Sequence, residues 1–287
     1  MSKLSQHAVI GVLAVALFVA QICRLSLIAA DDPAGDTGTA ERQALLKEMR
    51  SAAAAIKVTE KAGEQLRPAK LVEEPIFRYS DEQRFIRDAT MWIWTVEGRP
   101  VSVMKLERYS FPDPKRHWLF NIGSASPNLL TVTWPFDREF ESKKPGLLFQ
   151  PLSSGPELAE TKGARLIQLK QLSRRFAATM TGGGADDAKT EMRLLPTPLF
   201  RYASPPDQIA DGALFGLSAT GTNPDAMVAI QWRGEKESAR WEFGITGLTN
   251  GGLQVRLDDK PVWSQPYLVS RGQVFETWTW FFSERVE

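Results

Sequence analysis

The chain has 287 residues, and 35 Lys and Arg against 34 Asp and Glu give a formal net charge of +1. This length predicts two domains of ordinary size, and the balanced charge excludes a general electrostatic attraction to nucleic acid. Hydrophobic residues make up 43% of the chain, with 9 Trp and 15 Phe. This composition favours a folded protein with aromatic cores over a disordered one.

Cysteine and histidine are scarce. The sole cysteine is Cys23, and the two histidines are His7 and His117. Removal of an N-terminal signal would leave no thiol and one imidazole, which excludes disulfides, thiol nucleophiles and sites built from several histidines. We therefore expect no metal, no cofactor and no catalytic residue of these types, and we expect His117 to face solvent.

The beginning of the chain has the order of an export signal. An apolar run at residues 8–22 is followed by the small residues Ala29 and Ala30. This predicts a signal peptide over residues 1–30. The run is short for a bilayer span, which needs about 20 apolar residues, but a membrane anchor over residues 8–30 remains open. We expect a periplasmic, cell-envelope or secreted protein that meets a membrane through this segment alone.

An internal repeat spans much of the remaining chain. A shift of 123 positions aligns residues 75–134 with 198–257 without a gap. Thirteen identities among sixty aligned positions exceed the roughly three or four expected from average residue usage, which predicts a tandem duplication. The identities are Pro75/Pro198, Phe77/Phe200, Arg78/Arg201, Tyr79/Tyr202, Ile86/Ile209, Asp88/Asp211, Gly98/Gly221, Met104/Met227, Trp118/Trp241, Phe120/Phe243, Ile122/Ile245, Leu130/Leu253 and Val132/Val255.

Each copy has the pattern of short antiparallel strands. Trp241, Phe243 and Ile245 alternate with polar or small residues, which predicts a strand with one buried and one wet face. The segments MWIWTV and ALFGLSA are apolar on both faces, so we place them in the centre of a sheet. Turn sequences such as Asp258-Asp259-Lys260-Pro261 separate the strands.

Residues 41–66 and 164–180 have apolar side chains at helical spacing, and a glycine run follows the second segment. The predicted fold is α+β and predominantly antiparallel β, with two tandem copies of one β domain and an amphipathic helix before each. The predicted order is a signal peptide or anchor (1–30), a polar linker and helix (31–68), β copy one (69–160), a connecting helix and glycine-rich linker (161–189) and β copy two (190–287).

Several phrases are distinctive: DATMWIWTVEGRPVSVMKLERY, RLIQLKQLSRRF, EMRLLPTPLFRY, DGALFGL and GTNPDAMVAIQ. They resemble an uncharacterised family of exported proteins common in planctomycete-type bacteria. The resemblance covers most of the chain after about residue 65. It implies export and the repeated architecture, and it implies no activity.

Two aligned aspartates invite a catalytic interpretation. Asp88 and Asp211 would form a carboxylate pair for acid and base chemistry if the two copies placed them in one site, as in glycosidases. We favour the simpler interpretation of a turn aspartate that accepts hydrogen bonds from nearby backbone N–H groups. The aligned residues Arg78 and Arg201, each followed by a tyrosine, could bind an anion or a sugar ring. We favour the interpretation in which each arginine snorkels or pairs with a local carboxylate while the tyrosine packs inside.

The tryptophans are the best candidates for a binding surface. They outnumber the places available on one face of two small sheets, and exposed Trp side chains can stack on sugars or cover lipid. The alternative is that they fill the interface between the copies or the underside of the helices. The candidates are Trp92, Trp94, Trp134, Trp263, Trp278 and Trp280.

The sequence favours a non-catalytic binding or interaction protein of the cell envelope, or a secreted one, with any site between the two copies. Its expected partner is a glycan, a lipid or an envelope protein, and not a nucleic acid. Two alternatives remain open at this stage. One is a carboxylate-based hydrolase such as a glycoside hydrolase, which needs neither His nor Cys. The other is a purely structural envelope component.

Overall fold

The computed structural model describes residues 33–182, 188–268 and 275–286. It is an α+β protein built mostly of antiparallel strands, with two helices in the described part of the chain, and the predicted fold class is confirmed to that extent. The predicted signal or anchor lies outside the described residues. Within them, no helix is long and apolar enough to cross a membrane.

The helices are α1 (Pro33–Ala55) and α2 (Lys162–Ser173). The strands before α2 are β1 (Lys57–Ala62), β2 (Gln65–Pro68), β3 (Lys70–Leu71), β4 (Phe77–Asp81), β5 (Ile86–Val96), β6 (Arg99–Tyr109), β7 (Trp118–Ser124), β8 (Leu129–Trp134), β9 (Arg138–Glu141) and β10 (Gln150–Pro151). The strands after it are β11 (Phe176–Thr181), β12 (Lys189–Leu194), β13 (Phe200–Ser204), β14 (Ile209–Ser218), β15 (Ala226–Arg233), β16 (Arg240–Gly247), β17 (Gly252–Leu257), β18 (Lys260–Gln265) and β19 (Trp278–Ser283).

Both helices end earlier in the chain than the sequence predicts. After α1, β1 pairs with β8, where Val58 lies opposite Val132, and the chain returns as β2 across a turn at Gly63, whose φ is +62°. After α2, β11 lies between β12 and β17. Leu169 on α2 and Phe176 on β11 belong to the same core cluster. The helical spacing of apolar residues therefore continues from α2 into β11, because both elements bury side chains in one core.

Antiparallel pairing forms three sheets. One has the order β2-β1-β8-β9. The second has the order β19-β7-β6-β5-β3, with β4 also paired with β5. The third has the order β10-β16-β15-β14-β12-β11-β17-β18, with β13 also paired with β14. We refer below to residues 45–160 as the N-terminal half and to residues 161–286 as the C-terminal half.

Two edge strands each pair with a strand from the other half of the chain. β19 from the C-terminal half pairs with β7, where Phe281 lies opposite Phe120. β10 from the N-terminal half pairs with β16, where Gln150 lies opposite Phe243. Each half therefore completes the sheet of the other, and residues 45–287 form one compact unit.

The apolar strands are central, as predicted, because both of their faces are buried. On β5, Trp92 lies in a cluster with residues of α1 and β8, while Met91 lies in a second cluster. On β14, Phe215 lies in a third cluster with residues of α2 and β17, while Leu214 joins Met91. The shared cluster holds side chains from both large sheets and packs the two halves together.

The predicted wet face of β16 is wrong. Trp241, Phe243 and Ile245 are buried, but so are the alternating Glu242 and Thr246, at 8% and 3% exposure. The Thr246 hydroxyl donates to the carbonyl oxygen of Ser124 in the other half at 3.3 Å. Contact with the N-terminal half covers a face that a single sheet would leave in solvent.

The ungapped register also fails for one strand. Trp92 pairs with Met104, whereas the aligned Phe215 pairs with Val228. Met104 thus corresponds to Val228, and Met227 lies on the opposite face, in the shared cluster. The turn between β14 and β15 is longer than that between β5 and β6, which shifts the pairing by one residue and changes the buried face.

Candidate functional site

Three of the candidate tryptophans are core residues. Trp92, Trp94 and Trp134 are 0%, 1% and 2% exposed and belong to the cluster beneath α1. The Trp92 Nε1 group donates to the Thr90 hydroxyl at 2.8 Å. These side chains cannot present a ring to a ligand at the surface, because strand alternation turns them toward the helix.

The other three tryptophans line two larger cavities, whereas Trp134 borders a smaller one of about 280 Å³ beside α1. Trp278 and Trp280 line a cavity of about 430 Å³, called here the polar cavity. Trp263 and Trp278 line a second cavity of about 610 Å³, called the lysine cavity. Trp278 is 2% exposed and borders both. It lies on β19, so the exchanged strand forms a wall of each cavity.

A row of aromatic rings leads into the polar cavity. The Phe111 ring stacks on Tyr109 with centroids 4.9 Å apart, and Phe85 lies 5.5 Å from Phe111. Phe282 lies 5.5 Å from Tyr109 and 5.9 Å from Trp280. Phe85 is 57% exposed, and the other four rings are partly buried. We call these five residues the aromatic row.

Three separate segments bring the row together. Phe85 follows β4, Tyr109 and Phe111 stand at the end of β6, and β19 supplies the last two rings. The Ser110 N–H donates to the carbonyl oxygen of Phe85 at 2.9 Å. A His117 ring nitrogen lies 2.9 Å from the Phe111 carbonyl oxygen. His117 therefore holds the loop under the row.

Arg116 covers part of the row. Its guanidinium carbon lies 4.3 Å from the Phe111 ring centroid and 5.1 Å from that of Phe282. A guanidinium at this distance from an aromatic face is attracted by the ring quadrupole. The contact fixes both rings while Arg116 itself remains exposed.

A buried charge network forms the floor of the polar cavity. Lys105 is 3% exposed, and its Nζ donates to Asn223 Oδ1 at 3.0 Å and to the Pro224 carbonyl oxygen at 3.1 Å. Glu107 accepts from the hydroxyls of Tyr79 at 2.5 Å and Tyr109 at 2.9 Å. Burial lowers the pKa of Lys105, while burial and the Glu107 charge raise that of Tyr109.

Charge pairs join the halves beside this floor. Arg84 donates to both carboxylate oxygens of Asp225, at 2.8 and 3.3 Å, and Asp225 is fully buried. Elsewhere Arg99 Nε donates to Asp207 Oδ2 at 2.9 Å. Residues 84 and 207 are 123 positions apart and so occupy aligned positions in the two halves. Each forms an ion pair with a residue of the other half, but the aligned residue is a cation in the first half and an anion in the second. Both pairs connect one half to a turn of the other.

Two polar atoms at the polar cavity have no hydrogen-bond partner in the described chain. They are the Oδ1 of Asn121 and the Nε1 of Trp278. Asn121 Nδ2 donates to the Leu248 carbonyl oxygen at 3.0 Å, which fixes the amide. Buried polar atoms without partners are uncommon, so these two atoms are an unusual feature of the wall to which Asn121 and Trp278 contribute.

The aligned aspartates are paired with arginines, and the favoured turn interpretation is incomplete. Asp88 lies within β5 and accepts from Arg78 Nε at 2.9 Å and from the Ala89 N–H at 3.0 Å. Asp211 accepts from Arg201 Nε at 2.8 Å and from Arg165 Nε at 2.7 Å. Burial raises the pKa of Asp211, but the arginine bonds outweigh it and the net shift is downward.

Within the described residues, no group of three His, Cys, Asp or Glu side chains could hold a metal ion. The chain matches no protein-family model, and no curated protein or solved structure is significantly similar to it. The resemblance to an exported family therefore stays a prediction.

Proposed function

We propose that this chain is a non-catalytic binding protein that holds a neutral sugar chain along the aromatic row and in the polar cavity. The observation that carries the proposal is the continuity of the two features. Tyr109, Trp280 and Phe282 belong to the row and also line the cavity, whose other lining residues include the polar side chains of Asn121, Asn223 and Asn250. A ligand could therefore meet aromatic rings and polar side chains along one path.

Sugars fit this combination of groups. The apolar face of a pyranose packs on an aromatic ring, and each hydroxyl can both donate and accept hydrogen bonds. The charges that line the cavity, Arg84, Lys105, Glu107 and Asp225, are balanced and already engage protein partners. A neutral polar ligand is favoured because no lining charge is left to attract an ion.

Two rings of the row are specific to one half. The positions 123 residues beyond Phe85 and Phe111 are occupied by Gln208 and Gly234. A residue that the common fold required would recur in both halves, as the Arg–Asp pairs of β4/β5 and β13/β14 do. Tyr109 aligns with Trp232, but no aromatic matches Phe85 or Phe111, and this difference supports a role of these two rings in binding.

A tandem duplication belongs to the same proposal. The aligned identities, the repeated Arg–Asp pairs and the reciprocal edge strands support two copies of one ancestral unit that now complete each other. Export of the mature chain, as a periplasmic, envelope or secreted protein, is likewise proposed from the segment at residues 1–30, with an anchor over residues 8–30 as the alternative. A glycan partner is consistent with either location.

Hydrolysis of the sugar is the less favoured activity. Glu107 and Asp225 are the described carboxylates that line the polar cavity, and each is held by strong partners. A general acid or base must instead be able to reach the scissile bond and exchange its proton. The presence of two cavities also favours binding over a purely structural role.

Isothermal titration with cellohexaose, xylohexaose and chitohexaose tests the proposal. At least one should bind, and Phe111→Ala or Trp280→Ala should weaken it by about threefold to tenfold, the value of one ring contact. Phe136→Ala is the matched control, because Phe136 is 41% exposed and lies outside the row. Failure of all three sugars to bind would contradict the proposal, and shortened products would favour a hydrolase.

A further inference from the structure

The lysine cavity is separate from the proposed sugar path. It is the larger of the two cavities, and its walls come from the segment before β10, from β16, from β18 and from the start of β19. No residue of the aromatic row lines it. Its volume of about 610 Å³ lies within the usual range for small-molecule sites, roughly 300–1,000 Å³.

The walls of this cavity are mainly apolar and aromatic. Phe275 stacks on Trp278 with centroids 4.3 Å apart and ring planes 21° apart. Trp263, Leu148 and Ile245 add further apolar surface. Leu148 is 67% exposed, which is unusual for a large apolar side chain at the edge of a cavity and leaves an open apolar approach.

The polar groups at the rim favour an anion. Lys143 and Lys144 both line the cavity and both are exposed. Lys144 forms an ion pair with Glu276, whose backbone carbonyl accepts from the Lys143 N–H at 2.7 Å. No carboxylate of the described chain lies within ion-pair distance of the Lys143 ammonium. The lining charges therefore leave one cation in excess.

From this geometry we infer that the lysine cavity is a second binding site, for a medium-chain carboxylate. The acyl chain lies against Trp263, Phe275 and Leu148, and the carboxylate meets Lys143 at the rim. An apolar body in an aromatic cavity with a single charged contact at its mouth is the ordinary composition of a small-molecule site. The inference does not depend on the proposed sugar binding.

Titration calorimetry with dodecanoate below its micelle concentration tests the inference on the full chain. One molecule should bind per protein. Dodecanol and dodecylamine, which share the chain but lack the negative charge, should bind at least fivefold more weakly. Lys143→Gln should reduce the affinity for dodecanoate by about fivefold and leave that for dodecanol unchanged, because it removes the charge contact alone.

Two further variants separate the cavity from general apolar adsorption. Trp263→Ala should weaken dodecanoate and dodecanol alike, while Lys57→Gln, an exposed lysine of β1, should change neither. Circular dichroism would confirm that each variant is folded. Absence of saturable one-to-one binding, or equal binding of the three amphiphiles, would overturn the inference. So would an unchanged dodecanoate affinity in folded Lys143→Gln and Trp263→Ala proteins.

Discussion

Trp241 and Arg240 are neighbours on β16 that point to opposite environments. Trp241 is 2% exposed, and its Nε1 donates to the Pro156 carbonyl oxygen at 2.8 Å, whereas the Arg240 side chain is 58% exposed. Trp241→Ala should lower the free energy of unfolding by about 3–5 kcal/mol. Arg240→Ala should change it by no more than about 0.5 kcal/mol. Chemical denaturation measures the free energy of unfolding of both variants. Equal effects would contradict the assignment of Trp241 to the buried face of β16 and of Arg240 to the exposed face.

Asp211 should make stability depend on acid pH. Its folded pKa lies below the ordinary value of 3.8, because bonds from Arg201 and Arg165 outweigh the effect of burial. A depressed pKa gives stabilisation that is complete above the unfolded pKa and is lost as pH falls through the folded one. The loss therefore lies below pH 3.8.

The corresponding variant is Asp211→Asn. It should lower the free energy of unfolding at about pH 7, and the difference from the unaltered chain should narrow at about pH 3. Denaturant titrations at the two pH values measure this difference. An equally large loss of unfolding free energy at both pH values would mean that the carboxylate charge is not what stabilises the pair.

Among the elements, β19 has the clearest energetic role. Phe281 is 2% exposed and stacks on Phe120 with centroids 5.0 Å apart. Phe281→Ala should cost about 3–5 kcal/mol and should speed amide exchange in β7, the strand that it pairs with. Ile167→Ala, at a side chain of α2 that is 59% exposed, is the control. Exchange in β7 as slow as in the unaltered chain would show that the crossing strand is dispensable.

Local pattern predicts some elements and not others. The continuous apolar runs identify β5 and β14 as central strands, because both faces must be covered. The helical spacing of apolar residues predicts the wrong secondary structure after Ala55 and Ser173. The strand that follows each helix buries side chains in the same core, so the burial pattern does not distinguish a helical from an extended backbone. The pairing of β10 and β19 follows no local rule, because each strand finds its partner in the other half of the chain.

Residue type indicates some of the site residues and misses others. Trp278 and Trp280 could be proposed as candidates because of their residue type. Phe85 and Phe111 were missed because they join Phe282 in one row only after β19 crosses to the N-terminal half. The sequence feature that could have indicated these two residues is that they are aromatic in the first copy, whereas Gln208 and Gly234 occupy the aligned positions of the second.

At the scale of the whole molecule, the two halves share a core and exchange edge strands, and the polar cavity opens where they meet. Lys105 from the N-terminal half is bonded to Asn223 and Pro224 from the C-terminal half. Arg84 and Asp225 make a second link. The proposed sugar site is therefore a property of the assembled pair, and neither half alone contains all of its walls.

The most direct test of the sugar site is a ¹⁹F NMR titration of the chain labelled with 5-fluorotryptophan. Each of the 9 tryptophans gives one resonance, assigned by single Trp→Phe variants. On addition of the oligosaccharide that binds among cellohexaose, xylohexaose and chitohexaose, the Trp280 resonance should shift, while those of the buried Trp92 and Trp94 should stay in place. A titration in which Trp280 does not respond to any of the three sugars would contradict the account.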